Sequence, residues 1–320
     1  PRDGWSEQDP NTWFSAAEAA LKSLAAKADC SQVTGIGLSG HMHGATLFDR
    51  SDKPLRPCML WNDTRSHAEA AEMDADPQFR KITGNIVFPG FTAPKTEWVR
   101  RNEPAIFDQI AKVLLPKDAL RLFLTGEHVS EMSDAAGTAW LDTGKRDWSP
   151  DLLAACHLSV EQMPRLVEGS AASGTLRPAL AAVVGASDVT VAGGAGDNAA
   201  AAIGSGVVRD GTAFLSLGTS GVLFAANDAY RPDPATAVHS FCHAVPKTWH
   251  QMGVILAATD ALEWLSRLTG FSAANLTSDL GPLQGPGTPL FLPYLGGERT
   301  PHNDAQIRGQ ILRLAHATAP

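Results

Sequence analysis

A run of small residues broken by one carboxylate, Gly193-Gly194-Ala195-Gly196-Asp197-Asn198-Ala199-Ala200, constrains this chain more than any other stretch. Glycine tolerates positive φ and lets backbone or ligand approach closely. The short apolar segment Val189 to Ala192 reads as a strand that delivers this turn. The alanines after Asn198 read as the start of a tightly packed helix, which puts Asp197 and Asn198 at its N-terminus, facing a cleft. Shortly afterwards, Leu215-Ser216-Leu217-Gly218-Thr219-Ser220-Gly221 reads as an apolar strand ending in a small hydroxyl-bearing loop. Exposed N–H groups of such a loop suit phosphate oxygens. A positioned carboxylate near a phosphate-holding loop is the minimum equipment for moving a phosphoryl group onto an alcohol. Taken singly, such a run is more often an ordinary strand–helix connection with an N-cap. Neither run has the spacing G-x-G-x-x-G or G-x-x-x-x-G-K-[ST], which argues against dinucleotide and P-loop sites.

A length of 320 residues predicts two domains. A net charge of -8 argues against nucleic acid as a main partner. No apolar run reaches the roughly 20 residues that span a bilayer, and the start carries no signal-peptide pattern. Cys30, Cys58, Cys156 and Cys242 form no C-x-x-C pair, so buried free thiols in a reducing cytosol are expected. The chain opens without Met at Pro1-Arg2-Asp3-Gly4-Trp5, which reads as mid-domain loop, and stops at Ala315 to Pro320 as if a helix were about to begin. Those two ends predict a fragment.

Strands and helices interleave in both halves, which predicts an α/β class. Asp9-Pro10 predicts an N-cap and first helical residue, followed by Phe14, Ala17, Leu21, Leu24 and Ala28 at helical spacing. Strands are expected over Val33 to Leu38, Ala45 to Phe48, Cys58 to Trp61 and Val113 to Leu115. Helices are expected over Arg65 to Met73, over Asp118 to Leu124 with Gly126 as terminator, and from Ser149-Pro150. Ala213 to Leu217 and Val222 to Ala225 flank Gly218 to Gly221 like a hairpin. A helix over Ala257 to Leu268 and a buried strand over Leu290 to Leu295 follow. The glycines near 204–211 mark a domain boundary, giving domains 1–206 and 207–320.

Two further runs leave the ends of predicted strands, where open α/β sheets bind ligands. In Gly37-Leu38-Ser39-Gly40-His41-Met42-His43-Gly44, Met42 offers a soft apolar surface and His43 a hydrogen-bonding ring. No nearby Cys or carboxylate completes a metal set for the two histidines. Trp61-Asn62-Asp63-Thr64-Arg65 clusters an aromatic wall, an amide, a carboxylate and a guanidinium. Polyols need such mixed donors and acceptors, because each hydroxyl is both. Trp61 and Asn62 are the better site candidates; Asp63 and Arg65 read as well as a surface ion pair at a helix start. Ser133-Asp134-Ala135-Ala136-Gly137-Thr138 is a tight polar turn that either lines the same cleft or is only a turn. His239 and His243 lack zinc spacing and read as core or surface histidines.

With these runs in this order, the chain resembles the FGGY carbohydrate kinases, and within them the bacterial xylulokinases. Gly90-Phe91-Thr92-Ala93-Pro94-Lys95-Thr96-Glu97-Trp98-Val99 looks like the first FGGY signature, and Gly297-Glu298-Arg299-Thr300-Pro301 adds to the match. The resemblance implies a two-domain ATPase fold of the actin, hexokinase and Hsp70 (ribonuclease H-like) type, with the active site between the domains. It implies phosphorylation of D-xylulose at its terminal 5-hydroxyl by ATP with Mg²⁺, in the cytoplasm, and it allows a homodimer. It assigns Asp197 as catalytic base, Met42, His43 and Asn198 to the sugar, and Gly218 and Thr219 to the ATP phosphates.

Three departures stand out. His41 occupies a position usually held by Gln in xylulokinases, and Thr96 one where the signature has an apolar residue. The first strand with its Asp-Leu-Gly-Thr phosphate loop is expected before Pro1, and the adenosine-binding half of the second domain after Pro320. The 320 residues alone are therefore expected to lack kinase activity. Action on another polyol such as L-ribulose or glycerol, and a non-catalytic sugar-binding protein of kinase fold, stay open on the residues alone.

Overall fold

A computed structural model of the chain describes residues 2–278, 280–282 and 289–316. The last four residues of the expected C-terminal helix start, 317–320, lie outside them.

The first half is built around a parallel strand pair that is interrupted on both sides. Thr190–Ala192 pairs with Gly35–Ile36, and Ala195–Gly196 with Ser39–Gly40. Val191 faces Ile36 but Ala195 faces Ser39, so one extra residue is accommodated between the two ladders. Gly194 absorbs it. Its φ is +76°, and a Cβ there would sit 2.1 Å from the Leu38 carbonyl oxygen, so no larger residue fits. The Ala195 N–H can then bond that same oxygen at 3.0 Å and resume the pairing. The strand expected over Val33 to Leu38 is therefore reduced to Gly35–Ile36, and the pairing resumes beyond its expected end at Ser39–Gly40.

Carbonyls at the interruption are taken up by a buried arginine. Arg121, fully buried on helix Pro116–Thr125, donates to Ala192 O at 2.7 Å, Gly193 O at 2.6 Å and Val129 O at 3.1 Å. Buried backbone groups need partners, and one guanidinium fork supplies several donors at once.

Helix ends follow their local chemistry. Asp9 accepts the Asn11 N–H at 3.0 Å and starts helix Pro10–Ala25. Helix Pro116–Thr125 begins two residues before the expected Asp118, because Pro116 serves as first helical residue. It ends where Gly126 adopts φ +86°. Helix His67–Ala75 starts after the expected Arg65, whose guanidinium is instead held by the Asp63 carboxylate at 2.6 Å. That ion pair is buried, not at the surface as the sequence suggested, and it packs under Trp5 with the guanidinium 3.5 Å from the ring centre.

The second half opens as an antiparallel sheet in the order Ala213–Leu217, Gly221–Asn227, Trp249–Ile255, His239–Cys242. The expected hairpin is present, with Phe214 opposite Phe224. Helix Thr259–Thr269 begins two residues later than expected. The strand at Leu290 is shorter than expected, Leu290–Leu292, and half-buried rather than buried, since it pairs with the exposed strand Gln310–Leu312. All four cysteines are buried and free.

One hydrophobic core runs through both halves, from Leu47, Met59 and Trp140 to Phe224, Phe241 and Met252. Burial of such side chains contributes roughly 1.5–3 kcal/mol each. The Asn85 amide completes the junction. It accepts the Ser240 N–H and donates to the Ser240 carbonyl, both at 2.9 Å, and so behaves as a further strand on the sheet edge. A cavity opens beside this junction.

Candidate active site

The cavity has a volume of about 510 Å³. His41, Met42, His43, Trp61 and Asn62 line it from two loops of the first half, and Asp197 and Asn198 from the start of a helix. Val222, His239, Met252, Val254 and Arg299 close it from the second half. Every residue that the sequence assigned to sugar or base is therefore on one wall system, although Asn62 and Asp197 are far apart in the chain. Asp63 is not on it.

Asp197 is the first residue of helix Asp197–Gly204, with Gly196 as its cap. Its Oδ1 accepts the Asn198 backbone N–H at 2.8 Å and side-chain amide at 3.2 Å. Among the described residues Oδ2 accepts no hydrogen bond, so one oxygen is positioned and the other is available. A carboxylate at a helix N-terminus also sits favourably in the helix dipole. Met42 is buried against this turn: a Cβ on Gly196 would lie 3.0 Å from its sulfur.

His43 has φ +68° and stacks on Phe91 at 4.8 Å between ring centres. Burial holds its pKa down to about 3, so the imidazole is neutral. Lys95, buried, donates from Nζ to the His43 carbonyl at 2.9 Å and to the Gly90 carbonyl, stapling two cavity loops together. Burial lowers the Lys95 pKa to about 7. His41 is also held below its ordinary value, by burial and by Lys95, against an opposing pull from Asp197. Trp61 remains 58% exposed at the cavity mouth, an uncovered aromatic face beside Asn62.

Arg299 and His239 are cavity residues to which the sequence reading gave no role. Arg299 lies 5.0 Å over the Phe88 ring, and among the described residues its side chain has no anionic hydrogen-bond partner. Its position in the run Gly297 to Pro301 was the available signal. His239 is buried and neutral, its pKa lowered to about 3 by burial and by Arg299.

Gly218 and Thr219 lie outside the cavity, at the hairpin tip whose following strand carries Val222 into it. Thr259 donates its N–H at 3.0 Å and its hydroxyl at 2.8 Å to Gly218 O, and Ala258 N–H donates to Thr219 O at 2.8 Å. The carbonyls thus face the start of helix Thr259–Thr269. In a trans peptide the N–H points opposite to the carbonyl, so the Thr219 and Ser220 N–H groups are turned outward. The Gly218 N–H is used within the turn, on Ser220 O at 2.9 Å. Among the described residues no group of three or more His, Cys, Asp or Glu is placed to hold a metal ion. No described helix is long and apolar enough to cross a membrane.

Against known proteins, the profile of the FGGY family of carbohydrate kinases, N-terminal domain, matches residues 1–204, and that of the C-terminal domain matches residues 213–320. The xylulose kinase of Escherichia coli strain K12 is 51% identical over all of this chain and 67% of its own length. That of Klebsiella pneumoniae is 50% identical with the same coverage. The crystal structure of a xyloylose kinase from Brucella ovis superposes with a TM-score of 0.94 at 62% identity, covering all of this chain and 67% of that one. The chain spans about two thirds of the length of these relatives.

Proposed function

The chain belongs to the FGGY family of carbohydrate kinases, and from that premise we propose that it serves the transfer of the γ-phosphoryl group of ATP to the terminal 5-hydroxyl of D-xylulose. The observation that carries this reading is the meeting, in one cavity, of a free carboxylate oxygen on Asp197 with groups suited to a polyol from three other parts of the chain.

Asp197 Oδ2 accepts the proton of the attacking hydroxyl. The sugar oxygen bonds to the γ-phosphorus as the bond from that phosphorus to the β–γ bridging oxygen breaks, and ADP leaves. Such a base contributes roughly 10²–10⁴-fold. His43 Nε2 accepts a sugar hydroxyl, Asn62 and Asn198 exchange hydrogen bonds with others, and Trp61 and Met42 cover the carbon skeleton. Arg299 donates from the second half, so a bound polyol bridges both sides of the cavity. The outward N–H groups of Thr219 and Ser220 suit phosphate oxygens. Mg²⁺ is assigned to the ATP phosphates as part of the substrate. Residues 1–206 act as the sugar-binding domain, and 207–320 as the first part of the nucleotide-binding domain.

An ADP-release assay on the natural full-length protein with D-xylulose, L-ribulose and glycerol tests the reading. D-xylulose is expected to give the highest kcat/KM. A higher value for either alternative would reassign the substrate.

A further inference from the structure

The turn that carries Asp197 is not held by its glycines alone. The Gly196 N–H, one residue before Asp197, donates to Ser133 Oγ at 3.0 Å across 63 residues of sequence. Ser133 lies 2.9 Å from both oxygens of Glu131, and its own N–H donates to Glu131 Oε2 at 2.8 Å. The Asp134 N–H occupies Glu131 Oε1 at 2.9 Å, and the Lys117 ammonium faces that oxygen at 3.3 Å. Ser133, Glu131 and Lys117 are all buried.

These contacts fix the direction of the hydrogen bonds. A carboxylate beside an ammonium only accepts, so the single Ser133 hydroxyl proton goes to Glu131. Its lone pairs are left for the Gly196 amide. The order is one-way: Gly196 N–H to Ser133 Oγ, Ser133 O–H to Glu131. Charge-assisted bonds of this kind are among the stronger ones. Nothing in the Ser133–Glu131 pair lines the cavity, so it has no means of touching a substrate directly.

We propose that Ser133, oriented by Glu131, is a positioning residue for Asp197, setting the height and angle at which the helix N-terminus presents its carboxylate to the sugar hydroxyl. The proposal rests on Asp197 acting as base. It gives Ser133-Asp134 a role that the sequence left between a cleft wall and a plain turn.

The test is a double-mutant cycle in the full-length protein, with D-xylulose and MgATP. Ser133→Ala is expected to lower kcat about 10- to 100-fold, the scale of a misplaced catalytic group, with the KM for D-xylulose within about threefold. In an Asp197→Asn background the same change is expected to cost under about twofold, because there is no base left to misplace. Glu131→Gln, which keeps the shape of the cap and removes its charge, is expected to show the same non-additivity with a smaller loss, and it carries the test should Ser133→Ala fail to fold. An equal loss in both backgrounds, or an unchanged kcat in the single variant, overturns the proposal. Full activity of Asp197→Asn alone would instead overturn the base assignment, and is read separately.

Discussion

His43 Nδ1 lies 2.7 Å from the carbonyl oxygen of Gly137, ninety-four residues further along the chain. A carbonyl only accepts, so Nδ1 carries the proton. The ring is neutral, because burial holds its pKa down to about 3. Nε2 is therefore an acceptor, fixed by a contact on the far side of the ring. The cavity thereby has a directed acceptor that does not change with pH across the neutral range.

His43→Ala is expected to weaken D-xylulose binding by about 1–3 kcal/mol, the scale of an unpaired buried contact, and to leave ATP affinity nearly unchanged. Titration calorimetry with each ligand distinguishes the two. A loss confined to the nucleotide would move the run His41 to Gly44 away from the sugar.

Gly137→Ala is expected to imitate His43→Ala without removing any cavity side chain. A Cβ on Gly137 would lie 2.5 Å from the His43 ring, so the ring must be pushed off its position over Phe91. A rise of about tenfold or more in the KM for D-xylulose is the expected outcome. An unchanged KM would show that ring placement is unimportant.

Lys95→Met is expected to loosen both loops it staples. The Gly90 carbonyl loses its donor, at about 1–3 kcal/mol for a group left unpaired, and the His43 carbonyl keeps only the Thr92 hydroxyl at 3.2 Å. Both the melting temperature and D-xylulose affinity should fall. Lys95 also has a folded-state pKa lowered to about 7, below its unfolded value. The unfolded chain then binds more protons between about pH 7 and 10.5, so this group adds stability as pH rises through that window. The variant should lose that part of the slope in denaturant melts, and an identical slope would contradict it.

Acid should destabilise the protein early. His43 and His239 are held near a pKa of about 3 and His250 well below its usual value, each by burial. Depressed folded-state values mean stability that is complete above about pH 6.5 and lost as pH falls toward 3. Denaturant melts at pH 7.5 and pH 5 should show a lower midpoint at pH 5. His250→Phe, which keeps a ring stacked on Phe224, should reduce the difference. Equal midpoints in the parent protein would show that these rings are not buried neutral.

Local chemistry in the sequence was enough to place the helix caps at Asp9 and Ser149, the stop at Gly126 and the hairpin around Gly218, because each depends on neighbouring residues. The candidate site residues in the first half were legible for a related reason: each sits in a short polar run leaving a strand. His239 was not, because an isolated histidine has no local pattern; Arg299 stood in the run Gly297 to Pro301, but only the packing of the second half brings either residue to the cavity. Arg121 and Lys95 were equally hidden. Their partners are mainly backbone carbonyls, which leave no mark on side-chain spacing, although Arg121 also meets Ser173 Oγ and the Asp118 carboxylate. The Asp63–Arg65 pair was visible as a pair, but its burial under Trp5 depends on a residue some sixty positions away, so it looked like a surface contact.

The most direct test of the account is the steady-state rate of Asp197→Asn in the natural full-length protein with D-xylulose and MgATP. The substitution keeps the shape of the side chain and removes its basicity. The account predicts a fall in kcat of roughly 10²–10⁴-fold, with the KM for D-xylulose within about threefold. A fall in kcat of less than tenfold would contradict it.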